Sequence, residues 1–264
     1  SVVNANLVHG NGNNDLRRVK TDRKDAVKLA NYGLDRWLTL PRYVPEENTR
    51  LLLKNCYRQY RQYSKVQTVL KNNLISLLDM TFPNANRLFV SPARADGSEK
   101  WVDFVAEFWH CECVSERSLK SFVNKYWRWC RKHGYNFSEE KAHAIYDEAS
   151  GHIGVMPKSE TTKLLVEQAV SQLSATSAAL AALKQEMQSL SSQLPEYPVV
   201  MGMFGVGPIL GPQLIAEIGD VRRFYSKKAL VAYAGIDAPP NDSGDVIGRH
   251  KSMSKVGAVS YTHL

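Results

Sequence analysis

The chain has 264 residues, 44% of them hydrophobic and 23% charged, with 34 basic against 26 acidic side chains and a formal charge of +8. That length admits one or two domains with their own cores, and the composition is that of a soluble globular protein, which excludes a low-complexity chain. Four cysteines (Cys56, Cys111, Cys113 and Cys130) are too few for a disulfide scaffold and suit a reducing cytoplasm; the longest apolar stretch, 199–210, is broken by glycine and proline and is no membrane span.

Residues 1–7, SVVNANL, read as the end of a strand and the loop after it. An opening inside a strand points to an N-terminal portion beyond Ser1. The first residues carry no basic-then-apolar leader pattern. GNGNN at 10–14 is a turn-rich loop. Lys20-Thr21-Asp22-Arg23-Lys24-Asp25-Ala26 follows. Thr21 is suited to cap a helix running through Leu29 and Ala30. Asp22 and Asp25, three apart, then share one helical face. Two close carboxylates are hard oxygen ligands for a divalent ion such as Mg²⁺, which polarises a phosphodiester. On spacing alone the plainer role, acids offsetting a helix dipole beside solvated Arg23, is the commoner one.

Residues 45–79 have a helical pattern: Leu52, Cys56, Gln59, Tyr63, Val66, Leu70, Leu74 and Leu77 recur every three or four positions, with Arg58, Arg61, Lys65 and Lys71 on other faces. Tyr57, Tyr60 and Tyr63 alternate with Arg58 and Arg61, a pattern able to stack on RNA bases, although packing against a partner helix is the more frequent use. Residues 82–96 are irregular. Amphipathic helices resume over 101–110 and 115–132; Leu119, Phe122, Tyr126, Trp129 and Cys130 form a core side, with Lys120, Lys125, Arg128 and Arg131 on a face that is solvated by default. His110, Cys111, Cys113, Cys130 and His133 have partly zinc-like spacing, but a reduced, packed cysteine set is favoured. The longest helical signal is 161–194. There Val166, Ala169, Leu173, Thr176, Leu180, Leu183, Met187, Leu190 and Leu194 alternate spacings of three and four, a coiled-coil seam to be covered by the 45–79 helix or a second subunit.

Pro195 and Pro198 end that helix. In the last region, Gly205-Val206-Gly207-Pro208 is a tight turn, with Pro208 at a first helical position and Ile209, Leu214, Ile215 and Ile218 as the apolar face of a helix that Gly219 ends. A Gly-x-Gly turn before a helix directs amide N–H groups at a guest, for which a phosphate is suited. Arg222, Arg223, Lys227 and Lys228 make a basic cluster for a second phosphate contact. Ser243 lies in an Asn-Asp-Ser-Gly loop, and taken alone a Ser-Gly is a turn.

GVGPILGPQLIAEIGDVRRF, KKALVAYAGIDAPP, Ser243-Gly244 and Ser254-Lys255-Val256-Gly257 together resemble the C-terminal domain of DEDD-type insertion-sequence transposases, the IS110 family. Lys20–Ala26 matches that family's Lys-Thr-Asp-x-x-Asp-Ala signature at every fixed position. The resemblance implies a mainly α chain in three parts. Residues 1–44 are the remnant of an α/β RuvC-like, RNase-H-type catalytic domain; 45–195 are a helical coiled-coil domain with an insertion; 196–264 are a C-terminal transposase domain with a helix-hairpin-helix-like motif. It implies Asp22 and Asp25 as the last two of four acidic Mg²⁺ ligands and Ser243 as the nucleophile of DNA strand exchange. Nucleic acid is then held by Gly205, Gly207, Arg222, Arg223, Lys227, Lys228, Lys20 and Arg23. The implied partners are DNA, a guide (bridge) RNA and further copies of the chain, as dimer or tetramer, in the bacterial cytoplasm at the nucleoid and not at a membrane. The first Asp and the Glu of the quartet belong to strands before Ser1, and residues 258–264 depart from the family's Leu-Arg-Lys-rich helix. The chain as given is therefore expected to be a fragment, truncated at both ends and inactive by itself. The competing expectation is a non-catalytic helical remnant that binds nucleic acid or oligomerises.

Overall fold

The computed structural model describes residues 8, 21–40 and 47–236, in two compact units, Ser1–Asn48 and Thr49–Leu264. Among the described residues there are ten α-helices, two 3-10 turns and no strand. The strand expected at 1–7 lies outside them, as do Lys20, Ser243 and the Ser-Lys-x-Gly motif at 254–257.

In the first unit, α1 (Asp22–Arg36) starts where its sequence dictates. Thr21 is extended, and its hydroxyl accepts from the amide of Lys24 at 3.3 Å, satisfying one of the donors a helix start leaves open. Arg36 occupies the last turn, where a cation complements the helix dipole, with its guanidinium 5.6 Å from the Tyr32 ring.

The second unit is organised by two long helices, α2 (Asn48–Thr81) and, later in the chain, a 33-residue helix at Glu160–Ser192. Each extends about 50 Å. They run antiparallel. Leu53 and Tyr57 near the start of α2 share a core with Met187, Leu190 and Leu194 at the end of the later helix, whereas Leu74 and Leu78 share one with Val166, Ala169 and Leu173 at its beginning. Between these ends the Gln67 amide donates to the Ser177 hydroxyl at 2.8 Å, and the Lys184 ammonium lies 5.9 Å from the Tyr60 ring. The seven-residue step from Tyr60 to Gln67 is matched by the step back from Lys184 to Ser177, as an antiparallel pair requires. The 45–79 helix is thus the cover that the 161–194 helix was expected to need.

Two details differ from the sequence reading. The buried side of α2 is Arg50, Leu53, Tyr57, Leu74 and Leu78, while Leu52 and Val66 are exposed. On the later helix Ser177 is buried in place of Thr176. In both cases a polar residue sits in the seam because a partner across it satisfies its hydrogen bonds, which hydropathy alone does not register. Tyr57 is buried and Tyr60 packs against the Leu53–Leu194 core, so packing, and not an open stacking surface, is their use here.

Between the long helices a compact module folds from α3 (Lys100–Glu107), α4 (Glu112–Ser115), α5 (Leu119–His133) and α6 (Glu139–Ser150). Its interior is aromatic. Phe104 stacks on Phe108 with centroids 4.7 Å apart, Trp129 meets Phe104 edge-on at 5.7 Å, and Tyr126 stacks on Trp129 at 5.6 Å. Ser118 and Ser138 cap α5 and α6 by accepting amides three residues on, and Gly134 closes α5 in the left-handed region. The helix expected at 101–110 stops at Glu107, because His110 turns inward: its Nδ1 accepts from the Glu112 amide at 3.2 Å and its Nε2 donates to the Met156 carbonyl at 3.0 Å. The helix expected from Ser115 begins only after the Ser118 cap. Gly97 has φ +86°, and a Cβ there would stand 2.4 Å from the Ser177 carbonyl oxygen, so the loop before α3 approaches the Glu160–Ser192 helix at a distance only glycine permits.

That helix, α7, is followed by α8 (Tyr197–Met201), α9 (Leu210–Ile218) and α10 (Lys227–Ala234). Ile215 and Ala216 of α9 complete the core of Leu53, Tyr57, Met187, Leu190 and Leu194. Arg50, 5% exposed, fixes this junction. Its guanidinium makes a two-pronged pair with both carboxylate oxygens of Glu196, with its Nη2 at 3.0 Å from Oε2, and its Nη1 also reaches the Gly219 carbonyl at 3.5 Å. One side chain at the base of α2 thereby ties the α7–α8 connection to the end of α9.

Arg50→Met is expected to lower stability by about 3 kcal/mol, since it strands a carboxylate with little access to water, and the double variant Arg50→Met/Glu196→Leu recovers much of the loss. The hydrogen bonds from Arg50 hold the Glu196 carboxyl below the usual carboxylate range. A depressed folded pKa contributes stability above the ordinary glutamate pKa and loses it as pH falls through the lowered value. The wild type should therefore show an acid-side decline in midpoint, measured by thermal unfolding across pH, that Arg50→Met lacks.

Candidate functional site

Asp22 and Asp25 stand in the first turn of α1, both exposed, with Arg23 exposed between them. The Asp25 amide donates to the Thr21 carbonyl at 3.0 Å, so the cap that starts the helix also sets the two carboxylates on one face. Such a pair suits a hard divalent ion that takes the rest of its oxygen shell from water and phosphate. Among the described residues no group of three His, Cys, Asp or Glu side chains is placed to hold a metal. The zinc alternative at 110–133 accordingly has no support: both ring nitrogens of His110 are hydrogen-bonded to the backbone, and Cys111 and Cys130 are buried free thiols.

In the second unit the Gly205–Lys228 stretch forms a turn, α9, a 3-10 turn (Val221–Arg223) and α10. Gly205 has φ +80° with open space where a Cβ would go; Gly207 also faces open space but has no positive φ. The turn has fewer open amides than its glycines suggest. Val206 donates to the Met203 carbonyl, Gly211 donates to the Gly207 carbonyl, and Pro208 and Pro212 have no N–H. Pro208 precedes Ile209, the N-cap, and does not open the helix as expected. The buried face of α9 is Gly211, Pro212, Ile215 and Ala216, with Ile209 exposed, because α9 packs on α7 and α8 through its small residues.

The four cations of the basic cluster divide in two. Arg222 forks onto Asp220 through Nε at 2.9 Å and Nη2 at 2.8 Å, and these hydrogen bonds draw the Asp220 carboxyl down to about 2. Arg223 lies 4.7 Å from the Phe224 ring and 4.6 Å from the Tyr233 ring, and the Tyr233 hydroxyl donates to the Glu217 carbonyl at 3.0 Å, which ties α10 to α9. Lys227 and Lys228 are exposed in the first turn of α10, after the Ser226 cap. Cations at a helix start oppose the dipole, and an anion seated there relieves both.

A family model described as "Transposase IS116/IS110/IS902 family" matches residues 197–260, and a second of the same family, DEDD_Tnp_IS110, described as "Transposase", matches residues 1–83. The chain belongs to the IS110 family of transposases. No curated protein and no solved structure matches it. As an IS110 transposase it is of a class that acts on DNA, and among its described residues no helix is long and apolar enough to cross a membrane. The two family models bracket both the Asp22–Asp25 turn and the α9–α10 stretch; residues 84–196, with the aromatic module, lie outside them.

Two exposed aromatics of this transposase escaped the sequence reading: Phe204, directly before Gly205, and Tyr225, between Arg223 and Lys227. An aromatic beside a glycine turn or inside a basic run was the available signal.

Gly205→Ala should cost about 1 kcal/mol or more, because alanine resists positive φ, whereas Gly207→Ala should change stability by less than about 0.5 kcal/mol. Denaturant unfolding of the two variants distinguishes this from a turn in which both glycines matter equally.

Proposed function

We propose that this transposase cleaves and rejoins DNA strands with Ser243 as nucleophile and Asp22 and Asp25 as ligands of catalytic Mg²⁺. Support comes from two models of one transposase family at the two ends of the chain, with the carboxylate pair and the Ser243 loop falling inside them. The Thr21-capped turn that sets both carboxylates on one exposed face is the geometric part of that support.

The Ser243 Oγ–phosphorus bond forms as the bond from phosphorus to the leaving strand oxygen breaks. The serine gives up its proton, and the leaving oxygen gains one. The strand end is then held as a phosphoserine ester, and attack by a second strand's hydroxyl reverses the step with no net hydrolysis. Mg²⁺, when bound, supplies Lewis-acid stabilisation of the charge on the phosphodiester. Lys20, Arg23, Arg222, Arg223, Lys227 and Lys228, with the Gly205–Gly207 turn, hold backbone phosphates; Lys227 and Lys228, which no carboxylate offsets among the described residues, contribute most. A guide RNA supplies sequence specificity by base pairing.

In this reading 1–44 belongs to a RuvC-like domain, 45–195 is a coiled-coil domain with an insertion, and 196–264 a transposase domain with a helix-hairpin-helix-like motif. The chain works as a dimer or tetramer at the bacterial nucleoid, and the apolar residues left exposed on α2 and α7 (Leu52, Val66, Val69, Leu164 and Leu165) offer a contact between copies. The Asp22–Asp25 pair would leave the rest of the Mg²⁺ oxygen shell to water, phosphate and further ligands. Strand cleavage is assayed in a polypeptide that carries all four acidic residues that the family resemblance implies.

In that polypeptide, Asp22→Asn or Asp25→Asn should lower Mg²⁺-dependent strand cleavage by about two orders of magnitude while leaving DNA binding intact. Unchanged cleavage removes the metal role. Lys227→Ala/Lys228→Ala should weaken duplex DNA binding and reduce the slope of log affinity against log salt by about 2, measured by fluorescence anisotropy.

A further inference from the structure

Helix α5 carries Lys120, Lys125, Arg128, Arg131 and Lys132 and no acidic residue. Its apolar side (Phe122, Tyr126, Trp129 and Cys130) is buried in the aromatic module, so all five cations lie on the remaining face along about 18 Å of helix. Among the described residues only Lys125 has an ion-pair partner, Glu107 at 3.3 Å. The helix dipole explains cations in the last turn, such as Arg131 and Lys132. It does not explain Lys120, which sits in the first turn where positive charge is unfavourable. The same face borders an open groove of about 720 Å³, lined by five cations (Arg117, Lys120, Lys125, Arg128 and Lys132) against one acid, the Lys125 partner Glu107, with Trp129 and the neutral polar groups of Ser118, Ser121 and Asn124 between them. Beside the row, Trp127 is 41% exposed, with the Arg131 guanidinium 4.9 Å from its ring.

We propose that the α5 groove of the module between α2 and α7 is a binding surface for an unpaired RNA segment. The cations meet the phosphates. Trp127, backed by Arg131, stacks on a base, which a closed duplex does not offer. The Ser121 hydroxyl and Asn124 amide, set between the cations, suit the 2′-hydroxyl that separates RNA from DNA. The surface lies in residues 84–196, outside both family models, and is distinct from the α9–α10 stretch. The proposal rests on the reading that nucleic acid is the partner, and not on the strand chemistry of Ser243.

The test uses the full chain and three fluorescent probes of one sequence: an RNA hairpin with an eight-nucleotide loop, its DNA counterpart, and a blunt DNA duplex. Lys120→Gln/Arg128→Gln/Lys132→Gln should weaken RNA-hairpin binding at least about tenfold and lower its salt slope by about 2. Trp127→Ala should weaken the same binding by about tenfold with the salt slope unchanged. Duplex DNA binding should be the same in all variants, and because all four side chains are exposed, unchanged circular dichroism and melting identify folded variants. Wild-type affinity for the RNA hairpin in the triple variant overturns the proposal, as does an equal loss for duplex DNA. Loss of duplex binding on Lys227→Ala/Lys228→Ala with RNA binding intact separates this surface from the α9–α10 one.

Discussion

A single buried guanidinium holds the second unit together at the place where its parts meet. Arg50 lies in the first turn of α2, Glu196 follows α7, and Gly219 ends α9, and the Arg50 side chain bonds to the other two. The apolar contacts around it converge on the same point, since Leu53 and Tyr57, Met187, Leu190 and Leu194, and Ile215 and Ala216 form one core. Hydrophobic burial makes the helices pack but is non-directional. The planar fork of an arginine on a carboxylate fixes angle and register as well. It is this constraint that presents α9 and α10, and with them the Gly205 turn and the Lys227–Lys228 pair, in one arrangement relative to the long helices.

The positive charge of the chain is not evenly available. Arg222 is held by Asp220, Arg223 by two rings, and Lys125 by Glu107; in each case a local partner competes with any external anion. Lys227, Lys228 and most of the α5 row have no such competitor among the described residues. Two of these places, the first turn of α10 and Lys120 on α5, also put cations where the helix dipole disfavours them. An anion seated at either place would relieve that opposition, and a polyphosphate could serve both.

Much of this was legible in the sequence because it depends on local chemistry. The Thr21 cap, the Asp22–Asp25 spacing, the two long helices and the transposase family all follow from short-range patterns, whereas the antiparallel pairing of those helices is seen only in the structure. What hydropathy misread depends on contacts across the structure. The buried face of α2 is offset from the apolar one because Arg50 and Gln67 are satisfied by Glu196 and Ser177. The start of α9 is displaced because Gly211 and Pro212 pack inward. Helix α6 gave no sequence signal because its buried face is largely alanine, Ala142 and Ala149 with Ile145 between them, which carries little periodic contrast. The groove on α5 was legible as charge but not as a surface, since whether a basic face is open or paired is decided by neighbours far away in sequence.

The catalytic reading turns on which atom takes the DNA. The most direct measurement traps the protein, in a polypeptide that also carries the family's first Asp and its Glu, on a DNA substrate with Mg²⁺, digests both polymers, and locates the residual nucleotide by mass spectrometry. The expected product is a nucleotide joined through phosphate to the Ser243 hydroxyl, absent in Ser243→Ala. A nucleotide on another side chain, or strand ends released as free hydroxyl and phosphate with no protein attached, contradicts it.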